Sequence, residues 1–169
     1  ATVRITRSAS KSTVIQDISL HHDSRRVDIK TVVDWREKNR LLKALFPVNV
    51  LSRTATYEIQ YGAIERATHY STSHDRARYE VPAHRWIDLS ERGYGVSLIN
   101  DCKYGFGVHE NVMNISLLRS PTMPDPNADQ GRQEFTYSLY PHAGSWQDAH
   151  TVRSGYELNV EPVMSSDTR

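Results

Sequence analysis

The sequence predicts an all-β protein, an antiparallel β-sandwich, and three observations carry that prediction. Apolar and polar residues alternate with a period of two in short runs along most of the chain. Ser, Asn, Asp, Gly and Pro punctuate these runs at intervals too short for crossover helices. No internal repeat and no sustained helical pattern competes with them. The 169 residues suffice for one domain with a substantial core, and residues 1–169 are read as that single domain.

Thr2–Arg7 alternates Val3 and Ile5 with Thr and Arg, and Thr13–Leu20 sets Val14, Ile18 and Leu20 on one face; across the polar turn Ser8–Ser12 they form a hairpin. After the turn at His21–Ser24, Arg26–Trp35 alternates Val27, Ile29 and Val33. Arg36–Phe46 has Leu41, Leu42, Leu45 and Phe46 at helical spacing, but Pro47 closes it and Phe46–Leu51 alternates again. A short helical turn or loop feeding a strand is expected there. Ala55–Tyr61 is a strand with Tyr57, Ile59 and Tyr61 on one side, ended by Gly62. Glu65–Arg78 lacks hydrophobic periodicity and reads as a long loop.

His84–Leu89, Gly95–Asn100 and Val112–Leu118 are three further strands, and Ser120–Gly131 is a Pro/Asp/Asn/Gly loop. Gln133–Tyr140 alternates Phe135, Tyr137 and Leu139. Trp146–Glu157 is weakly helical or extended, Tyr156–Val160 is a candidate last strand, and Ser165–Arg169 a frayed tail.

Composition narrows the function classes. A net charge of +1 gives no field that would select nucleic acid or an anionic membrane. No apolar run approaches the roughly 20 residues that span a bilayer. The start, from Ala1 to Ser12, has neither Met nor the apolar core of a signal peptide, which points to a piece cut from a longer protein. Cys102 is the only cysteine, which excludes an intrachain disulfide and a cysteine-based zinc site, and is compatible with the cytosol.

The carboxylates available for paired acid–base work are Glu58, Glu65, Asp75, Glu80, Asp88, Asp101 and Glu134. None lies in an apolar run of the kind that raises a carboxyl pKa, so each is expected to be solvated or hydrogen-bonded within a sheet. His21-His22-Asp23 offers adjacent ligand types on a turn, which rarely converge on one ion. Asp125-Pro-Asn127-Ala-Asp129 begins like a calcium loop, but Gln130 stands where Gly is needed and Thr136 where Glu is needed. Between Thr68 and Trp86, basic and aromatic residues interleave, including His69, Tyr70, Tyr79, His84, Arg85 and Trp86. Such a set suits sugar hydroxyls and apolar sugar faces, and equally an ordinary sheet edge.

One stretch is more specific. Trp86-Ile-Asp-Leu-Ser-Glu91, followed by Tyr94-Gly-Val-Ser-Leu-Ile-Asn100-Asp-Cys-Lys-Tyr-Gly105, closely resembles the C-terminal β-region of class II α-mannosidases, glycoside hydrolase family 38. The likeness is strongest to the cytosolic-type and bacterial branch. It continues through Val33-Asp-Trp35, Ala55–Gly62, Leu117–Pro121, Asp129–Arg132, Glu134–Tyr137 and Pro141-His142, covering nearly the whole chain in unbroken order.

The resemblance implies a supersandwich of the galactose-mutarotase-like type within a retaining, exo-acting α-mannosidase. It implies a partner in the N-terminal catalytic barrel of the same enzyme, which supplies the nucleophile and a divalent metal, usually zinc. No cofactor is then expected on this chain, mannosides are the ligands, and the location is cytoplasmic. Arg119 matches a basic residue at the active-site rim, and with Trp86, His84 and Asp75 it forms the expected sugar-contacting set. His74 stands where the family branch carries Trp, which removes a stacking ring from that segment. The Asn100–Gly105 stretch reads as a tight turn. An apolar face that normally docks on the barrel would invite self-association. Two other readings share these residues: a stand-alone carbohydrate-binding module, and a mutarotase-like enzyme pairing His84 or His69 with Glu80 or Glu134.

Overall fold

The computed structural model describes residues 1–162, and two antiparallel sheets hold most of them. The chain runs through β1 (Thr2–Ala9), β2 (Ser12–Leu20), β3 (Val27–Trp35), β4 (Leu42–Pro47), β5 (Thr54–Ile59), β6 (Gly62–Ala67), α1 (Ser73–Ala77), β7 (Val81–Pro82), β8 (Trp86–Ser90), β9 (Tyr94–Asn100), β10 (Gly105–His109), β11 (Val112–Leu118), β12 (Gly131–Ala143) and α2 (Thr151–Asn159). The larger sheet has the order β1-β2-β3-β12-β9-β8-β5-β6, and the smaller one β4-β11-β10-β7. The all-β sandwich expected from the alternation is the fold observed.

Side-chain alternation sets the layers. In β3, Ile29, Val33 and Trp35 point to the core while Lys30 faces solvent. The register β3–β12 then places Phe135 opposite Thr31 and Tyr137 opposite Ile29 on the same inner face. From the small sheet, Phe106, Met113 and Ile115 meet them, packing with Ile87 and Leu98 at essentially no exposure. Each such side chain contributes about 1.5–3 kcal/mol relative to leaving it in water.

The two halves of the large sheet's outer face differ. Over β1, β2, β3 and the start of β12 it carries charges of alternating sign, with Arg4 at 2.6 Å from Asp17, Lys30 at 2.7 Å from Glu134 and Arg36 at 2.7 Å from Asp34. Over β8 and β9 it is covered by the segment Gly144–Asn159. There Asp88, which alternation turns away from the main core, is buried with His142 Nε2 at 2.8 Å. Ser97 Oγ donates to the same carboxylate at 2.8 Å, and Ser90 Oγ donates to its other oxygen. Ser97 also shares a 2.7 Å hydrogen bond with Thr151 on α2. Gly95 makes room for this cluster, since a Cβ there would sit 2.6 Å from His142 Cε1.

Several elements depart from the sequence expectation. The run after Arg36 is the expected loop only as far as Leu41, and from Leu42 it is strand. It pairs with β11 as Phe46↔Met113 and Ala44↔Ile115, which turns Leu45 outward and overrides the helical spacing. The strand ends at Pro47 and does not reach Leu51. The expected long loop at Glu65–Arg78 contains the end of β6 and the short α1. β6 is an edge strand exposed on both faces, so it carries no alternation to read. β10 was not foreseen because glycines occupy its outer face, at Gly105 and Gly107. The expected last strand at Tyr156–Val160 is instead the end of α2, whose Gly155 lies against Trp86. The expected frayed tail falls outside the described residues.

Replacing Asp88 by Ala should lower stability by about 3 kcal/mol, since it strands a buried imidazole and two hydroxyls. A urea midpoint unchanged from wild type would contradict the hub role of this carboxylate.

Candidate functional site

A cleft of about 790 Å³ opens where three segments meet: Asn39–Leu41 before β4, Tyr79–Glu80 before β7, and the Ser116–Arg119 end of β11. Ser120 pins two of them together. Its buried hydroxyl donates to the Arg40 carbonyl at 2.8 Å, and its own carbonyl accepts the Asn39 amide at 2.7 Å. One carboxylate oxygen of Asp129 accepts both the Arg119 and Ser120 amides at 2.8 Å. Asn39, Ser120 and Asp129 all take positive φ, at 54°, 44° and 62°. Asn and Asp tolerate this conformation, whereas Ser holds it at a cost that its four hydrogen bonds offset.

The third wall depends on two glycines. Tyr79–Glu80 lies directly on the outer face of β10, where a Cβ at Gly107 would fall 2.6 Å from the Tyr79 carbonyl oxygen. A Cβ at Gly105 would fall 2.9 Å from Glu80 Oε1. With the sheet surface cleared, Ser116 Oγ donates to Glu80, and Lys43 Nζ stands 3.6 Å from the other carboxylate oxygen. The Tyr79 ring is left exposed beside the cleft.

Charge on the cleft is uneven. The exposed Arg119 guanidinium has no ion pair among the described residues, and Arg40 has only Glu37 at 3.7 Å. Asp129 is committed to backbone amides and Glu80 to Ser116 and Lys43. The guanidinium forks and the phenol facing solvent can bind hydroxyl-rich or anionic groups. The cleft does not present two free carboxylates across a bond, the arrangement that glycoside hydrolysis requires.

Of the four expected sugar-contacting residues, only Arg119 lines this cleft. Trp86 is 1% exposed, with Trp146 at 4.8 Å between ring centroids and Gly155 against its edge. His84 is half-buried and meets Tyr104 edge-on at 5.7 Å. Asp75 caps α1, accepting hydrogen bonds from the Thr72 hydroxyl and amide at 2.8 Å, and these bonds hold its carboxyl below the usual range. None of the His–Glu pairs considered for proton transfer is hydrogen-bonded among the described residues; Glu134 is bound to Lys30, and His69 lies 3.9 Å from Asp75. Asn39, Arg40 and Ser120 were missed. The one available signal was Asn39-Arg40 ahead of an apolar run, a turn dipeptide without chemical character of its own.

The other candidates are structural. Asn100 Oδ1 accepts the amides of Cys102 and Lys103, which turns the chain tightly, while its Nδ2 donates to the His84 carbonyl at 2.9 Å. Partial burial, with Asp101 adding to it, pushes the Cys102 thiol up to about 11. Among the described residues, no group of three or more His, Cys, Asp or Glu is placed to hold a metal ion. No helix there is long and apolar enough to cross a membrane.

Comparison with known proteins gives a consistent result. Residues 1–127 match the glycosyl hydrolases family 38 C-terminal domain. The chain is 51% identical to alpha-mannosidase 2C1 of Homo sapiens over 154 residues, covering 91% of this chain and 15% of that protein. It is 49% identical to alpha-mannosidase G of Dictyostelium discoideum over 151 residues, covering 89% of this chain and 14% of that protein. The chain thus spans a small fraction of these relatives' length. An alpha-mannosidase structure from Enterococcus faecalis V583 superposes with a TM-score of 0.78 at 18% identity, over 86% of this chain and 17% of the other, which supports the fold.

Two measurements test the local chemistry. Gly107→Ala should displace Tyr79 and cost about 1–3 kcal/mol by overpacking, visible as a lower thermal midpoint. Alkylation of Cys102 by iodoacetamide should be slow at neutral pH and keep accelerating past pH 10, because only the thiolate reacts; a rate that levels off near pH 8.5 would contradict the raised thiol.

Proposed function

Because the chain belongs to the glycosyl hydrolases of family 38, as their C-terminal domain, we propose that it is the β-sandwich portion of a retaining exo-α-mannosidase that hydrolyses terminal α-mannosides. It supports the catalytic barrel of the same enzyme and lines one edge of the sugar pocket. The supporting observation is Arg119, whose guanidinium has no ion pair among the described residues and whose backbone amide is fixed at the cleft rim by Asp129. Its planar fork can bridge two vicinal hydroxyls of a sugar or the carboxylate of a neighbouring catalytic group. Tyr79 and Arg40 offer further donors on the same wall.

In this proposal, the nucleophile and the acid reside in the barrel. The cleft supplies binding and orientation, with the Asp129 carboxylate fixing the backbone from which Arg119 reaches a sugar. The described residues form no cluster that fits the divalent metal implied by the resemblance, and no part of the proposal uses one on this chain. Exposed Leu41, Leu45 and Leu51, on and around β4, suit a docking face for the barrel; left bare, they favour self-association. The lone thiol and the cytosolic-type resemblance support a cytoplasmic location for the enzyme.

The chain by itself should not release nitrophenol from a chromogenic α-mannoside, with or without added zinc or cobalt. Turnover at the rate of a complete enzyme would overturn the division of labour. In the complete enzyme, Arg119→Ala should lower kcat/KM for α-mannosides about 10- to 100-fold. An unchanged kcat/KM would remove Arg119 from the sugar pocket.

A further inference from the structure

A second pocket, of about 400 Å³, lies on the far side of the large sheet between the β5–β6 turn and α2. Its walls carry the rings of Tyr61, Trp86, Trp146 and Tyr156, where the Arg119 cleft has Tyr79 alone. Tyr61 occupies the two-residue turn between Ile59 and Gly62 with φ 59°, and its side chain is fully exposed. That conformation favours Gly or Asn, so a bulky ring is held there at a cost that no packing repays.

The opposite wall is already rigid. Arg85 grips the buried Glu58 with two guanidinium nitrogens, through Nη2 at 2.6 Å and Nε at 3.1 Å, and lies 3.8 Å over the Tyr156 ring. Glu58 is therefore consumed, and the pocket has no free carboxylate for catalysis. Polar capacity remains elsewhere. The His84 imidazole and the Gln60 amide make no hydrogen bond among the described residues, and behind the wall the buried Trp86 indole N–H has no partner among them either. Rings with an apolar face beside planar donors and acceptors match the amphipathic surface of a pyranose.

We propose that this pocket is a second, non-catalytic sugar site that holds a neutral hexopyranoside, its C–H face on Tyr61 and Tyr156 and its hydroxyls toward His84 and Gln60. That the sugar is a mannosyl residue rests on the α-mannosidase function proposed above. The site lies apart from the Arg119 cleft and shares none of its lining residues. It would retain one branch of an oligomannoside while another is processed.

The three tryptophans of the chain, Trp35, Trp86 and Trp146, give three indole N–H signals in a nitrogen-15 correlation spectrum. Titration with methyl α-mannoside or an α-linked mannotriose, to tens of millimolar, should shift the Trp86 and Trp146 signals saturably and leave Trp35 in place. Tyr61→Gly suits the turn, so it should keep or raise the thermal midpoint while weakening the sugar about fivefold. Arg119→Ala should leave the titration unchanged. No saturable shift with any hexoside, or binding indifferent to Tyr61→Gly, overturns the proposal; so does loss of the shifts in Arg119→Ala, which would put the sugar in the first cleft. Saturable binding of methyl α-glucoside in place of the mannoside would keep the site and count against the α-mannosidase function instead.

Discussion

The Asp88 carboxylate is the point at which the fold is tied together. It projects from a central strand of the large sheet, on the side away from the main core, where an ionised group would ordinarily demand water. His142 from β12, Ser90 from β8 and Ser97 from β9 supply its hydrogen bonds, and Ser97 passes the chain of bonds on to Thr151 of α2. The neighbouring strands β8 and β9 therefore share one polar cluster with β12 and α2, which lie some fifty residues further on. Breaking it leaves several buried groups unsatisfied at once, so its parts stand or fall together. Gly95 belongs to the same constraint, because any side chain there would occupy the imidazole's place.

This tie explains why the two halves of the large sheet's outer face look so unlike. Where Gly144–Asn159 lies on the large sheet, aromatic and small residues replace the charged ladder: Trp86 meets Trp146, and Gly155 lets the helix approach to contact distance. Beyond the reach of α2, the same sheet displays Arg4, Asp17, Lys30 and Glu134 in mutually compensating pairs. Each of those exposed pairs contributes little to stability. Their sign alternation keeps that face soluble and uncommitted, while the small sheet's outer side uses its two glycines to seat Tyr79–Glu80 and so shape the Arg119 cleft.

The strands with one buried and one wet face were legible in the sequence, because Val27, Ile29 and Val33 or Phe135, Tyr137 and Leu139 mark a face by themselves. Elements whose conformation is imposed from outside were not. β6 has no buried face to announce it, β10 has glycines where a strand normally carries side chains, and Leu42–Phe46 fits a helix until β11 pairs with it. The cleft was less legible still. Arg119 entered through resemblance rather than spacing, while the groups that hold it, Asn39, Ser120 and Asp129, are ordinary turn residues. Their role lies in positive φ and in backbone hydrogen bonds that no side-chain pattern encodes.

Trp86 shows the same limit from the other direction. An aromatic next to Arg85 and His84 suggested a ring offered to a sugar, and β8 does carry it on the outer face of the sheet. What periodicity could not supply is that a helix some sixty residues later covers that face. The ring became a wall instead of a platform, and the stacking surface moved outward to Tyr61 and Tyr156, one on a turn where a tyrosine is unfavourable and one on the covering helix itself. A strained exposed ring and a buried indole N–H without a partner are both costs, and both occur at the same pocket. Strained residues cluster at ligand clamps and active sites, and a buried polar group without a partner calls for an explanation of its own.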